Sequence, residues 1–165
     1  MTSTDTESPV GVLFVCLGNI CRSPAAEAIF HAQTYEKGLL NHFEIDSCGT
    51  SGYRDGEDAD SRMKSHGLKR GFSLTSASRK LEADDFSNFD YIVAMDKSNL
   101  ENIKKVEPRQ YSAEIVEMCT FLKGRTEKEV PDPYFGGESG FELVYDILEN
   151  ACSGLLNKLT EKHSL

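Results

Sequence analysis

Residues 12–30, VLFVCLGNICRSPAAEAIF, place a strand pattern, a short turn and a helix pattern in direct succession. The run Val12–Val15 is apolar and rich in β-branched residues, which is typical of a parallel strand that is covered on both faces. Ser23 and Pro24 then indicate a helix start, because serine caps helices well and proline suits the first helical position. A strand that passes straight into a helix predicts a βαβ unit, and hence an α/β fold with a mainly parallel sheet.

The rest of the chain continues this alternation of strands and helices. Further strands are predicted at residues 43–46, 91–95 and 115–121, and a short helix is predicted at 58–66. Apolar residues recur at three- and four-residue steps over 141–159, which indicates a long amphipathic C-terminal helix. This order of elements predicts helices on both faces of the sheet.

Residues 10–165 are expected to form a single domain, since the chain is long enough to bury a sizeable core. Residues 1–9 are polar, without the basic and apolar regions of a secretory signal, and are predicted to be a tail. No stretch approaches the roughly 18 apolar residues that span a membrane. The odd number of cysteines, five, favours reduced thiols in the cytoplasm. The net charge of −9 disfavours binding to nucleic acid or an anionic membrane.

The turn between the first strand and the first helix has the composition of an anion site. In open α/β sheets, ligands bind where strand ends meet helix N-termini, and the unpaired N–H groups there favour anions. Gly18 and Asn19 allow the backbone to curl, so that the amides of residues 17–22 point inward around a tetrahedral oxyanion. Arg22 is then placed to donate two N–H bonds to phosphate oxygens.

Cys16 is predicted to lie at the base of this phosphate loop. The helix dipole, the amides and Arg22 that attract phosphate also favour a thiolate, which makes Cys16 a candidate nucleophile toward phosphorus. Ser23 is placed to donate its hydroxyl to the sulfur. Two alternatives stay open: a buried structural thiol, or a zinc site of Cys16 and Cys21, for which no second ligand pair follows at matching spacing. The four histidines are scattered and are expected at the surface.

Four motifs together resemble the low-molecular-weight protein-tyrosine phosphatases: VCLGNICRSP at 15–24, DSCGTSGY at 46–53, YIVAMDKSNL at 91–100 and VPDPYF at 130–135. The resemblance covers most of the chain. It implies a four-stranded parallel sheet flanked by helices on both faces, with the phosphate loop between the first strand and the first helix. It also implies hydrolysis of phosphotyrosine in proteins through a cysteinyl-phosphate intermediate, without a metal or cofactor. The expected partners are phosphotyrosine-containing proteins, with phosphate or vanadate as inhibitors, and the protein is expected to be a monomer.

The resemblance also implies a second catalytic group. Asp132 of VPDPYF matches the family's acid, and a carboxylic acid is needed because the leaving tyrosine is a phenol with a pKa of about 10. Flanking prolines are expected to stiffen the loop that carries this carboxyl group. The predicted catalytic residues are therefore Cys16, Arg22 and Asp132.

Further residues match binding or supporting positions of the family. The predicted substrate- and phosphate-binding residues are Leu17, Gly18, Asn19, Ile20, Cys21, Ser23, Tyr53 and Tyr134. Ser47 matches the hydrogen-bond partner of Asn19, and Asp96 matches a carboxylate near the loop arginine. Cys21 matches a residue that protects the nucleophile of some relatives by a reversible disulfide.

Two departures from the family pattern concern the support of the second loop and the choice of substrate. Ser76-Ala77-Ser78-Arg79 stands where many relatives read HxAR, so the histidine support of the second loop is expected to be missing. Ile20 stands where relatives that act on phosphoarginine tend to carry threonine, which favours phosphotyrosine.

Two other functions are less consistent with the sequence. An arsenate reductase of the same fold needs further thiols to resolve its first adduct, and Cys119 and Cys152 lie outside the short redox segment that such enzymes use. A non-catalytic phosphopeptide-binding module is disfavoured because both the nucleophile and the acid are present.

Overall fold

The structure is a computed structural model that describes residues 8–134 and 136–165. Most of the predicted tail at 1–9, and Phe135 of the VPDPYF motif, lie outside the described residues. The strands are β1 (Val10–Cys16), β2 (Phe43–Gly49), β3 (Tyr91–Ala94) and β4 (Glu114–Glu117). Within the described residues these four strands form one parallel sheet in the order β2-β1-β3-β4. The predicted four-stranded parallel sheet is therefore confirmed.

Helices cover both faces of this sheet. Over the ranges described they are α1 (Arg22–Glu36), α2 (Ser61–Lys69), α3 (Asp85–Asn88), α4 (Lys97–Val106) and α5 (Glu138–Lys162). Val12 and Phe14 of β1 pack on one face in a core shared with α1 and α5. Leu13 and Val15 point to the other face and pack with Ile103 of α4. Because β1 is buried on both faces, its sequence is continuously apolar rather than alternating.

The start of α1 differs from the prediction. The helix begins at Arg22, with Cys21 at the N-cap position and no side-chain cap. Ser23 therefore does not cap the helix, because it lies within the first turn and its hydroxyl oxygen lies 3.0 Å from Cys16 Sγ. The cap prediction is wrong because α1 begins before Ser23, whereas the predicted contact between the Ser23 hydroxyl and the Cys16 sulfur is present.

Two other predicted boundaries also move. Helix α2 begins at Ser61 rather than at 58, since the Asp60 side chain accepts the first free N–H groups. Strand β4 ends at Glu117, and Met118–Phe121 forms a 3₁₀-helix that packs against α5. The close approach depends on Gly154 of α5, where an added Cβ would collide with the carbonyl oxygen of the 3₁₀-helix's last residue.

One histidine is an exception to the predicted surface positions. His66 of α2 is only 8% exposed, stacks on the ring of Phe141 at 5.3 Å between centroids, and hydrogen-bonds through Nδ1 to Glu142. Arg70, just after α2, adds ion pairs to acidic residues of α5, namely Glu142, Asp146 and Glu149. These contacts attach α2 to the N-terminal half of α5. Among the helices described, none has the length and apolar character that a membrane span requires.

Candidate active site

A pocket of about 220 Å³ opens where β1 ends and α1 begins. Its lining comes from the turn after β1, the loop after β2 and the loop before α5, because parallel strands end at the same edge of the sheet. The lining residues are Cys16, Leu17, Gly18, Ile20, Cys21, Arg22, Ser51, Tyr53, Arg54, Asp132 and Tyr134. The other predicted site residues are Asn19, Ser23, Ser47 and Asp96. Ser23 and Asp96 contact the lining residues Cys16 and Arg22, and Ser47 contacts Asn19.

Asn19 anchors the phosphate loop from behind. Its backbone adopts the left-handed conformation at φ 56°, which asparagine tolerates better than most residues. Its Nδ2 donates to Ser23 Oγ at 2.7 Å and to Ser47 Oγ at 3.0 Å, and its Oδ1 accepts from the backbone N–H of Arg79 at 3.1 Å. One buried amide thus joins the loop to α1, to β2 and to the segment before α3.

The Cys16 sulfur lies at the base of the pocket among hydrogen-bond donors. The Ser23 hydroxyl oxygen lies 3.0 Å from Sγ, and the Ser23 backbone N–H donates to Sγ at 3.4 Å. Since Asn19 already donates to the serine oxygen, the serine proton is directed to Cys16 or to the Cys48 carbonyl at 3.3 Å. Donors directed at a sulfur stabilise negative charge on it, so this geometry suits a thiolate.

Cys21 lies in the same loop but in a different environment. It is 4% exposed, and burial raises the pKa of its thiol, with the nearby charges of Asp60 and Cys16 adding to the effect. Cys21 is therefore a protonated thiol at neutral pH. In residues 8–134 and 136–165 no cluster of histidine, cysteine and acidic side chains is arranged to hold a metal ion, so the zinc alternative has no further ligands there.

Arg22 is almost fully buried, at 3% exposure, and makes directed contacts to two other segments. Its Nη1 donates to Asp96 Oδ2 at 2.6 Å and to the Val130 carbonyl at 2.9 Å, and its Nη2 lies 3.5 Å from Asp132 Oδ2. Burial by itself would lower the pKa of Arg22, but Cys16 and the two aspartates raise it above its ordinary value. The guanidinium therefore stays charged in the pocket.

Asp132 enters the pocket from the loop between the 3₁₀-helix and α5. Its Oδ1 accepts the backbone N–H of Tyr134 at 3.0 Å, while Oδ2 faces Arg22. The side chain is 34% exposed, so a bound ligand has access to it. A thiol, a guanidinium and a carboxyl group thus share one pocket, and this combination suits attack on a phosphate ester with proton transfer to its leaving group.

Aromatic side chains form the rim of the pocket. Tyr53 is 83% exposed, and Leu17 beside it is 47% exposed. Arg54, which the sequence prediction missed, lies 5.4 Å from the ring centroid of Tyr53 and 5.2 Å from that of Tyr134. It also donates to the Tyr134 hydroxyl at 2.8 Å. A flat ligand that enters between these rings would contact apolar surfaces and the positive charge of Arg54.

The sequence prediction also missed Ser78. This residue lies in the segment Ser76-Ala77-Ser78-Arg79, where the histidine of many relatives is missing, and it provides support of another kind. The Ser78 hydroxyl donates to the Gly18 carbonyl at 2.9 Å, and its backbone exchanges hydrogen bonds with Gly56 and Glu57. The segment without histidine therefore still supports both the phosphate loop and the loop after β2. Ser78 and Gly18 are 60 positions apart, so no local pattern indicates their contact.

Glu27 is a further supporting residue that the sequence prediction did not include. Its Oε1 accepts the Ser47 hydroxyl at 2.5 Å, and Ser47 in turn accepts from Asn19. Burial raises the pKa of the Glu27 carboxyl group, while the hydrogen bond from Ser47 opposes that shift. The network behind the phosphate loop thus reaches from the Cys16 sulfur to a carboxyl group on α1.

Residues 11–165 match the sequence model of the family described as Low molecular weight phosphotyrosine protein phosphatase. The chain belongs to this family. It is 46% identical over 137 residues to the Low molecular weight phosphotyrosine protein phosphatase of Schizosaccharomyces pombe, covering 82% of this chain and 88% of that protein.

Solved structures agree with this family membership. A protein tyrosine phosphatase from Entamoeba histolytica, with Hepes in its active site, is similar at a TM-score of 0.89 and 47% identity, covering 94% of this chain and 99% of that one. The Drosophila arginine phosphatase DARP is similar at a TM-score of 0.82 and 33% identity, covering 90% and 96%. The recognition of the family from its four motifs is confirmed.

Replacement of Ser78 by alanine tests its support of the phosphate loop. The change removes the donor to the Gly18 carbonyl, and such a hydrogen bond contributes about 1 kcal/mol. We expect the free energy of unfolding to fall by about this amount and inorganic phosphate to bind about fivefold more weakly. Denaturant unfolding and calorimetric titration of phosphate measure the two effects. Ser73→Ala, at an exposed position of the same segment, is the control. Equal phosphate affinity in the two variants would contradict the prediction.

Proposed function

We propose that Cys16, Arg22 and Asp132 carry out the hydrolysis of phosphotyrosine in proteins, with residues 10–165 as the phosphatase domain. The observation that carries this proposal is that the thiol, the guanidinium and the carboxyl group line one pocket. Family membership supports the same reaction, that of a phosphoric monoester hydrolase.

In the first step, the Cys16 thiolate attacks phosphorus, so that an S–P bond forms while the P–O bond to tyrosine breaks. Asp132 donates its proton to the leaving oxygen, because a phenolate with a conjugate-acid pKa of about 10 leaves poorly without one. Arg22 and the amides of the phosphate loop stabilise the charge on the three equatorial oxygens.

In the second step, water hydrolyses the cysteinyl phosphate. The Asp132 carboxylate takes a proton from the water, the new O–P bond forms, and the S–P bond breaks to restore the Cys16 thiolate. Inorganic phosphate leaves and Asp132 is protonated again. Nucleophile, acid and base all come from the chain, so the proposed cycle needs no cofactor.

The pocket lining supports phosphotyrosine as the substrate. Tyr53 and Tyr134 offer aromatic faces to a phenyl ring, and Ile20 adds an apolar wall. Phosphate and vanadate are expected inhibitors, since both are tetrahedral oxyanions that fit the loop. A reactive thiolate needs a reducing compartment, which supports a cytoplasmic location.

The two cysteines outside the site loops, Cys119 and Cys152, do not support an arsenate reductase. Cys119 and Cys152 are absent from the lining of the pocket, and Cys152 is fully buried in the core with α1 and α5. Neither is in a position to resolve an adduct on Cys16. The presence of Cys16 and Asp132 in one pocket also favours an enzyme over a module that only binds phosphopeptides.

Replacement of Cys16 by serine tests the proposed nucleophile. We expect hydrolysis of a phosphotyrosine peptide to be lost, because a serine hydroxyl at this position has no general base to ionise it, while inorganic phosphate still binds to the amides and Arg22. Steady-state kinetics on phosphotyrosine and phosphoarginine peptides, with calorimetric titration of phosphate, are the measurements. Turnover by the variant near the parent rate would reject Cys16 as the nucleophile, and a parent preference for phosphoarginine would reject the substrate.

Replacement of Asp132 by alanine tests the proposed acid. Phenols of low pKa leave without proton donation, so their esters lose little rate, whereas esters of phenols with a pKa near 10 lose about a hundredfold or more. A series of aryl phosphates measures the dependence of kcat/KM on leaving-group pKa, because kcat/KM contains only the steps up to release of the phenol and not the later hydrolysis of the cysteinyl phosphate. Asp58→Ala, at an exposed position outside the pocket lining, controls for the loss of a negative charge. A loss that is uniform across the series would show that Asp132 does not protonate the leaving oxygen.

Oxidation tests the protective role proposed for Cys21. Peroxide converts the Cys16 thiolate to a sulfenic acid, which the Cys21 thiol can attack to form a disulfide and release water. We expect dithiothreitol to restore the oxidised parent, and Cys21→Ser to keep most activity but to recover poorly. Activity assays and mass spectrometry of the loop peptide are the measurements, with Cys119→Ser as the control. Equal recovery in both variants, with no Cys16–Cys21 disulfide, would reject this role.

A further inference from the structure

Arg62 lies in the first turn of α2 and contacts the loop of the proposed acid from outside the pocket. Its Nη2 donates to the Tyr134 carbonyl at 3.1 Å. Its guanidinium carbon also lies 5.3 Å from the ring centroid of Tyr134 and 4.9 Å from that of Phe141. A planar guanidinium suits such a site, since it can stack on rings and donate within its plane at the same time.

Asp60 holds the other edge of this guanidinium. Its two carboxylate oxygens accept from Arg62 Nε at 3.2 Å and from Nη2 at 3.0 Å. Burial would raise the pKa of Asp60, but the hydrogen bonds from Arg62 and from backbone N–H groups lower it overall, so the carboxylate stays charged. The Asp60 backbone N–H also donates to the Ile20 carbonyl of the phosphate loop at 2.8 Å. The start of α2 therefore connects the phosphate loop to the loop of Asp132.

One further hydrogen bond connects Tyr134, and through it Arg62, to the carboxyl group of Asp132. The Tyr134 backbone N–H donates to Asp132 Oδ1 at 3.0 Å, while Oδ2 lies 3.5 Å from Arg22 Nη2. The position of the Tyr134 main chain thus sets where one carboxylate oxygen lies and which way the other faces. Arg62 holds that residue by its carbonyl and by its ring.

We infer that Arg62 is a positioning residue for the acid step, acting on Asp132 through Tyr134. The inference rests on the proposed function. Proton donation requires the carboxyl group within hydrogen-bond reach of the leaving oxygen, and a displacement of about 1 Å can cost on the order of a hundredfold in rate. The Arg62 side chain is 46% exposed, and exposed ion pairs add little to stability. Its effect is therefore expected in the rate of proton donation rather than in folding.

The test compares Arg62→Ala with the parent on two aryl phosphates and on inorganic phosphate. We expect kcat/KM for phenyl phosphate, whose phenol has a high pKa, to fall on the order of tenfold to a hundredfold. The kcat/KM for an ester of a strongly acidic phenol, and the inhibition constant of phosphate, should change by no more than about twofold, because the phosphate loop is intact. Arg62→Lys keeps the positive charge but lacks the planar set of N–H donors, and it is expected to recover part of the lost rate.

A double-mutant cycle separates this role from a general structural one. If Arg62 acts through Asp132, then Arg62→Ala should cost almost nothing further in an Asp132→Ala background. Arg70→Ala is the matched control, since Arg70 lies just beyond the other end of α2 and pairs with α5. That control should leave the dependence of kcat/KM on leaving-group pKa unchanged.

The outcomes distinguish this inference from the proposed function. A uniform loss on both esters, or additive losses in the double variant, would overturn the positioning role while Asp132 keeps its own leaving-group effect. A parent protein that hydrolyses no aryl phosphate would overturn the proposed function and this inference together. Selective loss on phenyl phosphate with non-additive coupling to Asp132→Ala supports the inference.

Discussion

The architecture of the site depends on the ion pair and the hydrogen bonds that the buried guanidinium of Arg22 makes. A charged group that is 3% exposed is costly unless it is paired and hydrogen-bonded, and here Asp96 and the Val130 carbonyl provide the partners. Asp96 follows β3 and Val130 opens the loop that carries Asp132. One side chain from the phosphate loop therefore brings the ends of two distant segments to the end of β1, and its charge still faces the pocket.

The phosphate loop is held in place by partners that are distant in the sequence. Its backbone carbonyls need donors, and these are the Ser51 N–H for Leu17, the Ser78 hydroxyl for Gly18 and the Asp60 N–H for Ile20. Each partner lies on a different segment, so the loop conformation is tied to the packing of the sheet. Such preorganised donors need little rearrangement when charge develops on a bound phosphate. Asn19 also holds Ser23, whose hydroxyl oxygen lies 3.0 Å from the Cys16 sulfur.

The electrostatics of the pocket oppose those of the whole chain. The net charge is −9, yet the rim and base of the pocket carry Arg22 and Arg54, with Arg62 just outside. Local donors at a helix N-terminus act at short range, whereas the overall charge is screened over about 10 Å at moderate ionic strength. A protein with a net negative charge can therefore still present a local site that attracts an anion.

The sequence alone determined the features that depend on residues close together along the chain. The apolar run of β1, the turn with Gly18 and Asn19, and the periodicity of α5 predicted the fold and the location of the anion site, because strand and helix patterns are local. Tertiary structure decided which groups meet across the chain. Arg54 reaches Tyr134 over 80 positions, Ser78 reaches Gly18 over 60, and Arg62 reaches Tyr134 over 72. These contacts depend on how the loops pack at the sheet edge, and no periodicity or spacing within one chain records that packing.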